Sequence, residues 1–187
     1  MLDLLSYVIV PLYTLLFSGE HNLLTSNFSV IGNMLGQKEG FLLWGFLLAL
    51  CLVIILSRTS ENLDLPAPKR HLVLAALAAL FLSITTPYLP EEFPFKSFMH
   101  VLLAALSAFF LILYLLFASI ALYRLHPPAG ATALTVLGTI LIGSLLLLIH
   151  AGIISSALEI FFSISAIFLG RFLLWQSRLP HCRKKGR

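Results

Sequence analysis

The sequence predicts an all-α fold, a polytopic membrane protein built as a six-transmembrane-helix bundle with both termini cytoplasmic. Three observations carry that expectation. Hydrophobic residues make up 59% of the 187-residue chain and charged residues only 11%, against about 25% charged in soluble domains. Apolar runs alternate with short polar or proline-rich connections. Lysine and arginine flank those runs instead of lining a polar surface, so the net charge of +4 reports topology and gives no sign of a nucleic-acid partner.

The apolar runs cover residues 4–17, 40–57, 71–86, 99–123, 131–149 and 153–175, which make one transmembrane domain. At about 1.5 Å per residue the last five reach across, or nearly across, a hydrocarbon core of about 30 Å. The first is short and carries Pro11, so a re-entrant or interfacial helix is its alternative. The start Met1-Leu-Asp-Leu-Leu-Ser lacks the positive region and cleavage site of a signal peptide, which reads as a retained first helix. Pro87, Pro90 and Pro94 break the chain after the third run, Pro66 and Pro68 precede that run, and His126-Pro-Pro-Ala-Gly130 makes a tight turn. Cys51 and Cys182 do not suggest a disulfide framework. Trp44, Trp175, Tyr88 and Tyr123, near the ends of runs, fit an interfacial aromatic belt.

Orientation follows from the basic residues. The segment 176–187 reads as a basic cytoplasmic tail, and six crossings then put Arg58, Lys69, Arg70, Arg124 and Arg171 on the inner side. Only Lys38 and Lys96 fall outside. The expected location is the cell membrane, multi-pass, with the polar stretch Glu20 to Asn33 on the outer face.

Helical spacing groups residues by face. The fourth run aligns His100, Ala104, Ser107, Leu111, Tyr114, Ala118 and Ala121. Thr132, Thr135, Thr139, Gly143, Leu146 and His150 form a similar stripe on the fifth, and Ser156, Glu159, Ser163, Ala166 and Gly170 on the sixth. The third run offers His71, Ala75, Ala79, Ser83 and Thr86. Small and polar stripes are expected to pack against other helices and not against lipid. Glu159 is the most informative residue: facing lipid it would cost roughly 2.5–3.5 kcal/mol. It is therefore expected to face protein or water, with His100 and His150 as its natural partners by depth.

The outer side thus gathers candidate catalytic residues His100, Glu159 and Ser29, and candidate substrate-binding residues His21, Asn27, Asn33 and His150. Histidines with a carboxylate are ligands that zinc accepts, although the chain has none of the H-x-x-x-H or H-E-x-x-H spacings, and metal and cofactor stay open. The same set also supplies a Ser29 nucleophile with a histidine base. Against both stand plainer roles: turn formation and helix capping for Asn27, Ser29 and Asn33, interhelical hydrogen bonds for the histidines and Glu159, and snorkelling for Arg171.

The segment Asn27-Phe-Ser-Val-Ile-Gly32, then Phe93-Pro94 and His100, resembles a bacterial six-helix membrane family of unknown function related to the DRAM-type proteins, a group that includes eukaryotic proteins remodelling GPI-anchor lipids. That resemblance implies Ser29 and His100 as the site positions. A second comparison is with intramembrane ceramidase- and receptor-like zinc hydrolases, which use a serine, an aspartate and histidines. Here the only aspartates, Asp3 and Asp64, fall on the inner side, so Glu159 or Glu20 would have to substitute.

The leading expectation is a membrane protein with an outward-facing polar pocket that binds or processes a membrane lipid or other amphiphile; as an enzyme it would be an intramembrane hydrolase or transferase. A proton-coupled transporter using Glu159, and a non-catalytic subunit or assembly factor packing as a homo-oligomer or on a partner membrane subunit, are the alternatives.

Overall fold

The structure, a computed structural model, describes residues 1–179. Most of the expected tail, with His181 and Cys182, lies outside the described residues. Among the described residues the chain is helical without strands. The helices are α1 (Leu2–Ser18), α2 (Phe28–Asn33), α3 (Lys38–Asn62), α4 (Ala67–Thr85), α5 (Pro94–Leu125), α6 (Pro127–Ala151) and α7 (Ser156–Ser177). Helices α3 to α7 are long and apolar enough to cross a membrane, and α1 is apolar but shorter.

The helices overrun the apolar runs at most ends because polar residues do not stop a helix; proline does. Pro94 and Pro127 open α5 and α6, where the missing N–H costs nothing, and Pro66 is the residue before α4. In α1, Leu5–Ile9 winds as a π turn just before Pro11, and the Val10 N–H donates to the Leu5 carbonyl. Pro11 has no N–H for the preceding turn, and a locally widened turn is a common accommodation.

Helix α1 lies against α3 and α7. The Trp44 indole N–H donates to Thr14 Oγ1 at 3.1 Å, the Tyr13 hydroxyl donates to the Gly40 carbonyl, and Arg171 on α7 forms an ion pair with Asp3. Arg171 therefore has a protein partner, where snorkelling was expected. Trp44 is likewise no belt residue: it is buried, while Trp175 is exposed.

Two faces result. One gathers Asp3, Arg171 and the bond from Asn62 Nδ2 to Ser177 Oγ; the other carries the 19–37 connection and α2. Near the first face the bundle is solid around Ile55, Leu56, Leu115, Leu122, Leu173 and Leu174. Contact is closest where α5 turns into α6, since a Cβ on Gly130 would lie 2.1 Å from Tyr123 Cα. From there α6 becomes peripheral: its buried residues end at Ile140.

That explains one failed expectation. Thr132, Thr135, Thr139, Leu146 and His150 are exposed and do not face the bundle. A threonine can face outward at little cost by donating to a carbonyl one turn back, as Thr132 does to Pro128 and Thr139 to Thr135. The α5 and α7 stripes do face inward, with His100, Ser107, Leu111, Tyr114 and Ala118 buried on one, and Ser156, Ser163, Ala166 and Gly170 on the other. On α4, Ala79 and Ser83 are buried but His71 is exposed.

Candidate active site

The polar stretch after α1 is no open loop. It lies across the start of α7, where Ser156 N–H donates to the Ser26 carbonyl at 2.7 Å and Ala157 N–H to the Leu23 carbonyl at 2.9 Å. It then forms α2, a helix too short to show periodicity in the sequence. Asn27 caps it, Oδ1 accepting from Val30 N–H at 2.8 Å. Phe28 anchors it, fully buried and edge-on to Phe17 and Trp44 at centroid distances of 5.2 and 4.7 Å. Gly32 lets it settle on α3, for a Cβ there would stand 2.6 Å from Phe41 Cβ.

This placement aims Ser29 at α5. Ser29 Oγ lies 2.6 Å from His100 Nε2, and His100 Nδ1 lies 2.8 Å from the Ser83 carbonyl and 3.0 Å from that of Thr86. Carbonyls only accept, so Nδ1 carries the proton and Nε2 is left to accept from the serine hydroxyl. The carbonyls are within reach because α4 ends there: Thr86 is extended, and Pro87 has no N–H for the Ser83 carbonyl, which accepts from Thr86 N–H at 3.0 Å and keeps a second lone pair for the imidazole. Ser83 Oγ also donates to the His100 carbonyl at 3.1 Å, and Tyr88 and Phe41 flank the imidazole at 5.5 and 6.3 Å. His100 is only 3% exposed, so its ring is held on every side.

Glu159 is half-buried beside this pair. Its partner is neither His100 nor His150: Oε2 accepts from Phe28 N–H at 2.7 Å, clamping the first turn of α2 to α7. Asn33 Nδ2 donates to the Ser29 carbonyl at 3.0 Å, supporting α2 from within. His21 contacts Gln37 at 3.4 Å, apart from the pair. His150 is exposed at the last turn of α6, and Glu20 is also exposed.

Ser29, His100 and Glu159 line one cavity of about 320 Å³. Below them its wall is apolar, from Phe41 and Trp44 down to Leu52, Leu111 and Ala166. The serines on that wall are spoken for: Ser107 donates to the Ala76 carbonyl and Ser163 to that of Glu159. Predicted membrane side pointed toward Ser29, His100 and Glu159, and helical spacing toward the last two, whereas the Ser83 and Thr86 carbonyls leave no side-chain signal. The one hint was proline following Thr86.

The donors do not fit zinc. Both nitrogens of His100 are committed, His150 does not line the cavity, and among the described residues no three histidine, cysteine or carboxylate side chains converge. No family model, no curated protein and no solved structure matches this chain.

Proposed function

We propose that the protein is a serine-nucleophile acyl hydrolase or acyltransferase embedded in the cell membrane and acting on an acyl ester lipid. The observation that carries this reading is the Ser29–His100 contact of 2.6 Å at the polar end of an apolar cavity. Ser29 Oγ attacks the ester carbonyl carbon while His100 Nε2 takes its proton; His100 returns that proton to the departing alcohol, leaving an acyl ester on Ser29. Water, or another lipid alcohol, releases the acyl group with His100 again as base. The Ser83 and Thr86 carbonyls do what a carboxylate does in a Ser-His-Asp triad: they fix the tautomer and face the imidazolium as it forms. In the first turn of α2, Phe28 N–H is taken by Glu159, Val30 N–H by Asn27 Oδ1 and Ile31 N–H by the Asn27 carbonyl. The Ser29 amide is left for the oxyanion.

The bundle is a six-span one in this reading, α1 supplying the sixth crossing. At 17 residues it reaches about 25 Å, a deficit that local thinning of the bilayer absorbs. Both termini are cytoplasmic by the basic-residue bias, which sets the site at the outer leaflet. The Asp3–Arg171 pair, joining the first helix to the far end of the last, is in keeping with an even number of crossings.

The test is labelling of the purified protein with a fluorophosphonate probe, with the modified peptide identified by mass spectrometry. Modification at Ser29, lost in Ser29→Ala and His100→Ala, is expected; a folded wild-type protein that resists the probe overturns the reading. Labelling of single cysteines at Thr25 and Lys69 by an impermeant maleimide tests the orientation, with only the first expected to react from outside.

A further inference from the structure

We infer that the cavity is a ruler for a single acyl chain, loaded sideways from the bilayer. The inference rests on the acyl-ester reading for the identity of the ligand's head, but the shape stands apart from it. From His100 to Leu111 on α5, and from Phe41 to Leu52 on α3, the wall runs eleven residues, about 16 Å along each helix. One leaflet of a hydrocarbon core of about 30 Å is about as deep. A volume of about 320 Å³ drawn out over that length is long and slender, which suits a chain.

The floor is closed. Leu52, Leu111 and Ala166 form it, and below them Tyr114 is fully buried, its hydroxyl donating to the Leu56 carbonyl at 2.7 Å and lying 2.9 Å from Ser60 Oγ. The mouth is lateral. Ala105, Leu148 and Ile154 line the cavity yet are exposed on the outside of the bundle, which marks an opening between α5 and the end of α6. That is the end of α6, beyond its last fully buried residue, Ile140. A lipid whose ester sits at Ser29 can thus lay its tail between α3, α5 and α7 without its headgroup crossing the bundle.

Two alanines on the wall lie at different depths: Ala104 is one turn below His100, and Ala166 is seven residues, about 10 Å, below Glu159. A leucine at either position narrows the cavity at its own depth, from the half-buried Ala104 or the tightly packed Ala166. The experiment uses full-length protein carrying Ser29→Ala, which removes turnover, and a series of photoreactive fatty acids of increasing chain length. Ala166→Leu is expected to cut cross-linking of the longest chains about tenfold while sparing shorter ones, and Ala104→Leu to cut it for all but the shortest. Equal cross-linking of every length in all three proteins, or equal losses at every length, overturns the ruler. Graded cross-linking with a Ser29 inert to fluorophosphonate leaves the ruler standing and removes the hydrolase; a reactive Ser29 without length selection does the reverse.

Discussion

The two ends of the bundle are built from the same kinds of residue and do opposite things with them. Near the termini, Ile55, Leu115, Ala118, Leu122, Ile167 and Leu173 are at most 1% exposed. Toward α2 the same helices spread around a cavity of about 320 Å³. A membrane offers chains to fill it. One end is thus closely packed and the other surrounds a cavity, and serines in both show the difference. Ser119 closes on its own helix carbonyl and Ser60 does the same while also meeting the Tyr114 hydroxyl, whereas Ser29 reaches a histidine on α5.

Substitutions can break or sharpen that contrast. The largest effect is expected from His100→Gln, which keeps size and polarity but not the base: ester turnover should fall by about 10³-fold or more with the protein still folded, and retained turnover would remove His100 from the chemistry. Gly32→Val comes next. Its side chain collides with Phe41, so α2 must move, and a shift near 1 Å costs on the order of 10²-fold; probe labelling of Ser29 kinetically unaltered would show that α2 does not set the geometry. Glu159→Ala should slow labelling about tenfold by freeing the Phe28 amide, and Glu159→Gln, which keeps an acceptor, should restore most of it. If both variants fall equally, the carboxylate acts by charge and not by position.

At the solid end, Tyr114→Phe removes a buried hydroxyl and is expected to cost about 1 kcal/mol in thermal or denaturant unfolding while labelling stays within about twofold. The smallest effect belongs to His150→Ala, expected to change neither quantity measurably because the residue is exposed at the end of α6. A clear loss there would return His150 to the site.

What the sequence made legible follows the physics of each signal. Hydropathy reports length and burial in lipid, so the five long helices were visible and their ends were not. Periodicity placed His100, Ser107 and Tyr114 on one inward face of α5 because buried polar groups there need partners. The same pattern on α6 was misread: Thr132 and Thr139 satisfy themselves, so their spacing carries no information about direction. His150 was grouped with Glu159 by depth alone, and depth does not give the angle around a helix axis. Trp44 was taken for an interfacial residue because its position near a helix end was visible, while the overlying α2 and Phe28 were not. The carbonyls that orient His100 belong to the backbone and have no letter in the sequence.

The attachment of residues 22–26 to α7 has a consequence for how this chain can vary. The anchors are the carbonyls of Leu23 and Ser26, received by the amides of Ala157 and Ser156. Any amino acid brings the same carbonyl. Substitutions at the exposed Leu23, Leu24 and Thr25 are thus free to reshape this face with Ser29 still delivered to His100, whereas Asn22, whose Oδ1 accepts from the Leu24 and Thr25 N–H groups, holds the turn by its side chain. An inserted or deleted residue has no such freedom, since it puts one anchor out of step with the other. At those three positions the connection is open to changes of letter, and along its length it is closed to changes of count.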